Sequence, residues 1–197
     1  MTDSNIDVLK IYEQEKALLK GHFILSSGKH SSVYLQSAIV LSKPHYLNKI
    51  ANHLVASIKK IIDVTDIDLV VSPAMGGVII GNKIGEILDK KSIFLERVEG
   101  KFKLRRGFVI NKNEKVLLVE DVITTGKSSI ESVECVSNYG GRVCALSSII
   151  DRSGKDLKFD FPFVSIIKIN APIYDNHNIP ADLKNIPVLK PGSRFLK

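Results

Sequence analysis

Val116–Ser129 reads VLLVEDVITTGKSS, and its reading decides how the rest of the chain is organised. The apolar, β-branched run predicts a buried strand over Lys115–Glu120. Two adjacent acids, Glu120 and Asp121, close that run, and Val122 and Ile123 follow. Thr124-Thr125-Gly126-Lys127-Ser128 then opens a helix expected over Ser128–Tyr139 and ended by Gly140-Gly141. The first N–H groups of a helix lack partners, and the dipole there favours an anion. Gly126 lets the backbone approach closely, and the hydroxyls of Thr124, Thr125 and Ser128 add donors. That half suits a phosphate monoester. Ionised carboxylates only accept hydrogen bonds, so Glu120 and Asp121 suit vicinal sugar hydroxyls. Together the two halves match both ends of a ribose 5-phosphate. Gly126-Lys127-Ser128 also copies the end of a P-loop, but the first glycine of that motif would have to stand at Asp121. The plainer alternative is a strand whose acids merely face water.

Working outward, strands and helices alternate. Asp68–Ser72 (DLVVS) is a buried-strand run, Gly76–Lys90 a helix and Ser92–Glu96 a strand. Phe102–Ile110 contains a hairpin arm, while Arg142–Ile150 and Phe163–Ile169 complete the strands. Apolar, β-branched runs between helices imply an α/β fold. Its central sheet is open and mainly parallel, with helices on both faces. Ligands of such sheets lie outside the carboxyl ends of the strands. The stretches to watch are therefore Ser72–Gly77, Glu96–Arg106, Glu120–Ser128 and Asp151–Lys155. Toward the N-terminus, residues 7–20 have helical spacing and Gly21 stops them. Gly21–Gln36 (GHFILSSGKHSSVYLQ) suggests two short strands around a Ser-Gly turn, and residues 43–61 a further helix.

No repeat, linker or low-complexity segment interrupts the 197 residues, which fit one domain. The formal net charge is +7, with the tightest basic group at Lys101, Lys103, Arg105 and Arg106. Aromatic residues make up 7% and do not interleave with the basic ones, as a single-strand stacking platform requires. The charge suits a phosphorylated small molecule better than a nucleic acid. No apolar run reaches the ~18 residues that span a bilayer, and MTDSNIDVLK is no signal peptide. Cys135 and Cys144 lack metal-ligand spacing and read as free thiols, so a cytoplasmic location is expected. The five histidines, scattered in the same way, read as structural or exposed.

VLLVEDVITTGKS resembles the 5-phosphoribosyl 1-pyrophosphate (PRPP) loop of type I phosphoribosyltransferases. Gly21–Gln36 is similar to the N-terminal hood of the orotate phosphoribosyltransferases, where F-x-L-x-SG-x-x-S recurs, and IPVLKPGSR (Ile186–Arg194) to the end of one bacterial branch. The resemblance implies a hood built from about residues 1–40 and the C-terminal segment. It implies transfer of the phosphoribosyl group of PRPP to orotate, giving orotidine 5'-monophosphate and pyrophosphate. Mg²⁺ would be carried on the substrate, with Asp121 contacting it at most through water, and the protein would be a homodimer.

Residue by residue, the resemblance places PRPP on Glu120 through Ser128, with pyrophosphate on Ala74, Met75, Gly76 and Gly77. Many relatives have lysine where Gly76 stands, and that charge is missing here. Arg97 matches an arginine that reaches pyrophosphate from a mobile loop. VEGKFKLRRGF is shorter than that loop in many relatives and has no histidine, so Lys101 is a candidate catalytic cation without a fixed alignment. Orotate would meet Ser26, Ser27, Gly28, Thr124 and Arg152, whose guanidinium fork matches a carboxylate. Tyr34 would lie against the base. The plain alternatives are a strand-to-helix turn at Ser72–Gly77, a solvated basic hairpin, and a surface ion pair at Arg152. For the whole chain, the alternatives are a purine or uracil acceptor, or a PRPP-responsive nucleic-acid regulator of the same fold.

Overall fold

The computed structural model describes residues 6–25, 27–154 and 157–191. Ser26, Lys155 and the Gly192–Arg194 end of the tail motif lie outside them.

A six-stranded sheet forms the body. It comprises β3 (Leu69–Pro73), β4 (Lys91–Val98), β5 (Lys101–Lys103), β6 (Lys115–Ile123), β7 (Arg142–Asp151) and β8 (Phe163–Lys168), in the order β5-β4-β3-β6-β7-β8. All neighbours pair parallel except β5, which folds back on β4. Along the parallel strands the order reverses between β3 and β6. At such a reversal the following connections leave to opposite faces and open a crevice.

Side-chain alternation explains the layering. Val70, Leu117 and Val119 join one core with α3 (Pro44–Ile58) and α4 (Gly76–Leu88). Leu69, Val71, Val116 and Leu118 join the other core with α5 (Lys127–Asn138). The strands are buried on both faces, hence their unbroken apolar runs. Helix α3 buries Ile50, Ala51, Leu54, Val55 and Ile58, one stripe at helical spacing.

Helix α4 lies close on β3 and β6 because glycine faces them. A Cβ on Gly77 would stand 2.7 Å from the Val119 carbonyl oxygen, which is backbone and cannot rotate away. Gly77→Ala is therefore expected to cost about 1–3 kcal/mol by overpacking, read as a lowered denaturation midpoint at unchanged slope.

A four-stranded sheet, β10-β1-β2-β9, stands over the crevice. It pairs β1 (Leu18–Ile24) and β2 (His30–Leu35) with two short C-terminal strands, β9 (Ile173–Tyr174) and β10 (Val188–Leu189). Two helices complete the N-terminal part, α1 (Val8–Gln14) and α2 (Ser37–Leu41), and α6 (Ala181–Lys184) lies between β9 and β10.

Three expectations need correction. The helix expected over residues 7–20 ends at Gln14, because Leu18 and Leu19 pair with Leu35 and Tyr34 in β1. The hairpin arm at Phe102–Ile110 shrinks to Lys101–Lys103. The strand expected to stop at Glu120 runs to Ile123, because Val122 and Ile123 pair with Ile150 and Asp151.

Candidate active site

That last correction changes the acidic pair. Inside a strand, successive side chains point to opposite faces. Glu120 accordingly meets α5, accepting a hydrogen bond from the Ser129 hydroxyl at 2.5 Å. Asp121 meets the opposite side, near Ser37 of α2 and the start of α4. A Cβ on Gly76 would come within 2.4 Å of the Asp121 carboxylate, so only glycine leaves room for that acid. Behind it, the buried Tyr12 hydroxyl donates to Ser37 at 3.0 Å.

Both acids line one cavity of about 580 Å³. Its walls are Ala74, Met75 and Gly76 from the β3–α4 turn, Val122 through Thr124 with Gly126 and Ser128, and Leu25, Tyr34 and Ser37 below the hood. Arg152 closes the end. Desolvation by burial pushes Glu120 up to about 7, against the opposing pull of the Ser129 hydroxyl, and the Asp121 charge adds to the rise. Burial also raises Asp121, partly offset by the Ser37 hydroxyl.

The turns between strand and helix offer donors. The N-cap residues of α4 and α5 make no side-chain cap hydrogen bond; at the start of α5 the Lys127 N–H donates to the Thr125 hydroxyl at 3.3 Å, and an anion would compete for such leading N–H groups. Gly126 takes φ 77°, a left-handed conformation that a side chain would strain, and so turns the strand end into the helix. Beside it, Thr124, Thr125, Lys127 and Ser128 line a second cavity of about 350 Å³ with Arg97, Ser27, Gly100 and Glu131.

Arg97 is held rather than loose. It pairs with Glu131, donates to the Gly100 carbonyl at 2.6 Å and lies 4.0 Å over the Phe102 ring. Its Nε has no partner among the described residues. Lys101 and Lys103 are exposed on β5, and Lys101 lines neither cavity. Arg106 is tied to Glu96 through two hydrogen bonds, at 3.1 and 2.8 Å. Gly28 takes φ 82° in the β1–β2 turn and is absent from both linings, whereas its neighbour Ser27 lines the smaller cavity.

Arg152 is 1% exposed. It donates to the Val33 carbonyl at 2.9 Å and the Ser31 hydroxyl at 2.6 Å, and its Nε has no partner among the described residues. Among the described residues no carboxylate pairs with it. Buried in this way, Arg152 does not sit at the surface as the ion-pair alternative requires. Burial of this guanidinium lowers its pKa from the usual arginine value.

The sequence reading missed Tyr12, Ser37, Ser129, Glu131 and Ser31. Glu131 left a local trace, four residues after Lys127 on the same helix, and Ser31 is the closing serine of the F-x-L-x-SG-x-x-S pattern.

An order-reversing parallel sheet, a cradle of helix starts and two carboxylates at the reversal define a nucleotide-sugar or sugar-phosphate site. Residues 40–184 match the model of the phosphoribosyl transferase domain, and the chain belongs to that family. Within it, the chain is 47% identical to the orotate phosphoribosyltransferase of Erythrobacter litoralis over 98% of its own length and 99% of the relative's. It is 46% identical to that of Thermotoga maritima, over 96% and 100%. Among solved structures, the orotate phosphoribosyltransferase of Aeropyrum pernix superposes with a TM-score of 0.64 at 24% identity, over 81% of this chain and 92% of that one. An adenine phosphoribosyltransferase of Thermoanaerobacter pseudethanolicus gives 0.57 at 16%, over 70% and 88%. The fold is thus common to enzymes with different acceptor bases, and the base must be argued from side chains.

Proposed function

We infer that this chain is an orotate phosphoribosyltransferase. It joins N1 of orotate to C1 of PRPP and releases pyrophosphate. The observation that carries the base is Arg152. A buried guanidinium that no carboxylate of the described residues pairs is costly unless a ligand supplies a counter-ion. In this cavity the ligand must combine a planar carboxylate with a ring small enough to lie beside Tyr34 and face a ribose. Orotate does so; uracil and the purine bases lack the carboxylate.

The site residues follow as proposals. The Thr124–Ser128 turn holds the 5-phosphate on the leading N–H groups of α5 and on hydroxyls. Glu120 and Asp121 accept hydrogen bonds from the ribose hydroxyls. The α4 start at Gly76-Gly77 takes the pyrophosphate. Arg97 and Lys127 bring positive charge near the phosphates, partly balanced by Glu131. Orotate N1 attacks as the ionised ring nitrogen, the C1–oxygen bond to pyrophosphate breaks, and the chain's work is positioning and charge neutralisation.

Among the described residues no group of three or more His, Cys, Asp or Glu could hold a metal. Two carboxylates beside the site fit an ion that arrives on substrate phosphates instead, as Mg²⁺ does. When bound, Mg²⁺ would neutralise charge on the departing pyrophosphate.

We further propose a cytoplasmic homodimer. Both cysteines are free, and no described helix is long and apolar enough to cross a membrane.

The test of function is orotate consumption with PRPP and Mg²⁺, run beside uracil and hypoxanthine. Turnover of orotate alone is expected; equal turnover of uracil would end the assignment.

Glu120 adds a pH signature. Its raised pKa means that ionisation destabilises the folded chain, so this contribution to stability is lost as pH rises through about 7. Ribose hydroxyls favour the ionised form. PRPP binding is therefore expected to release a proton, and affinity to rise by up to ~10-fold per pH unit below that pKa. Calorimetry in buffers of different ionisation heat measures the released proton, and Glu120→Gln should abolish it.

A further inference from the structure

We propose that Ser31 is a positioning residue that sets acceptor specificity by holding Arg152 in the plane that reads a carboxylate. The proposal rests on the pairing of Arg152 with the orotate carboxylate.

Arg152 carries five N–H donors in a rigid fork. Two neutral acceptors engage it, the Val33 carbonyl on Nη1 and the Ser31 hydroxyl on Nη2, and both belong to β2. The hood, rather than the parallel sheet that carries Arg152, therefore fixes the plane of the fork. After these two bonds one N–H on each Nη remains for a ligand, and the Nε is buried without a partner among the described residues.

Ser31 is built for this task. It is fully buried and lines neither cavity, so it does not touch the ligand. Its hydroxyl donates to the Pro172 carbonyl at 3.1 Å and accepts from the Val33 N–H at 3.2 Å. With its single proton committed to Pro172, the oxygen can only accept from Arg152. A hydroxyl free to rotate could turn its hydrogen toward the guanidinium; this one is held with a lone pair facing it. Loss of that oxygen leaves one buried acceptor, the Val33 carbonyl, about which the fork can swing. A bidentate carboxylate contact needs both N–H groups in one plane, so it suffers more than any other contact in the site.

Orotidine 5'-monophosphate and uridine 5'-monophosphate differ only in the carboxylate, so the ratio of their affinities isolates this contact. Both are titrated into the full chain, with PRPP as a control, for wild type, Ser31→Ala, Arg152→Ala and the double variant. Ser31→Ala is expected to reduce the ratio by about tenfold, with PRPP and uridine 5'-monophosphate affinities within about twofold of wild type. The double variant is expected to match Arg152→Ala alone, because Ser31 acts only through the arginine. If Arg152→Ala leaves the ratio unchanged, the carboxylate assignment itself fails. If Arg152→Ala collapses the ratio and Ser31→Ala does not, the assignment stands and the role of Ser31 is overturned. Equal losses for all three ligands in Ser31→Ala would also overturn it, as a structural effect. Should Ser31→Ala fail to fold, Ser31→Cys, near in size but a weak acceptor, is read by the same criteria.

Discussion

Replacing Arg152 by alanine is expected to raise the KM for orotate about 100-fold while the KM for PRPP changes less than about threefold. The size follows from burial. At 1% exposure, no water stands ready to replace the guanidinium. An orotate carboxylate in the variant would lose the guanidinium proposed to pair with it. Truncating one partner of a buried charge pair costs about 2–5 kcal/mol, or roughly 30-fold to several thousandfold. Folding should suffer less than a buried truncation usually implies, because among the described residues no carboxylate pairs with that charge. Steady-state kinetics with each substrate varied in turn decides the matter. Equal effects on the two KM values would argue against the carboxylate pairing.

The second large effect is expected at Asp121. Asp121→Asn should lower turnover by ~10-fold or more, since the interaction is needed as charge develops at the ribose. The change is small in volume but reverses one end of the hydrogen-bonding pattern, giving an NH₂ where a ribose hydroxyl must donate. Gly76 leaves the room this side chain occupies, since a Cβ there would meet the carboxylate at 2.4 Å. The Ser37 hydroxyl, itself fed by Tyr12, points to the same group from behind. Unchanged kinetics would remove Asp121 from the site.

What the sequence made legible follows from where burial is two-sided. DLVVS, KVLLVE and RVCALSSII are buried on both faces of a parallel sheet, so composition alone marks them, and the helices between them complete the pattern. The Thr124–Ser128 turn was legible for a different reason. Its chemistry is local, because a helix start and its hydroxyls lie within five residues.

What stayed hidden depends on distant partners. Leu18 and Leu19 suit a helix or a strand equally by spacing, and only their pairing with Leu35 and Tyr34 settles it. The extension of β6 past Glu120 comes from β7, some thirty residues on, and it sends the two acids to opposite faces. Strands of two residues, such as β9 and β10, carry no periodicity at all. Arg152 could be singled out by its place after a strand, but its burial and its missing counter-ion appear only when the hood closes over it. Ser26, expected at the base, falls outside the described residues.

The strand end at Glu120–Ser128 is the proposed receptor for a phosphorylated ribose. Isothermal titration of the folded protein with PRPP in the presence of Mg²⁺ tests this most directly. One PRPP per chain is expected, with binding weakened in Asp121→Asn. An absence of measurable heat from protein that melts cooperatively, at several buffers and temperatures, would contradict it.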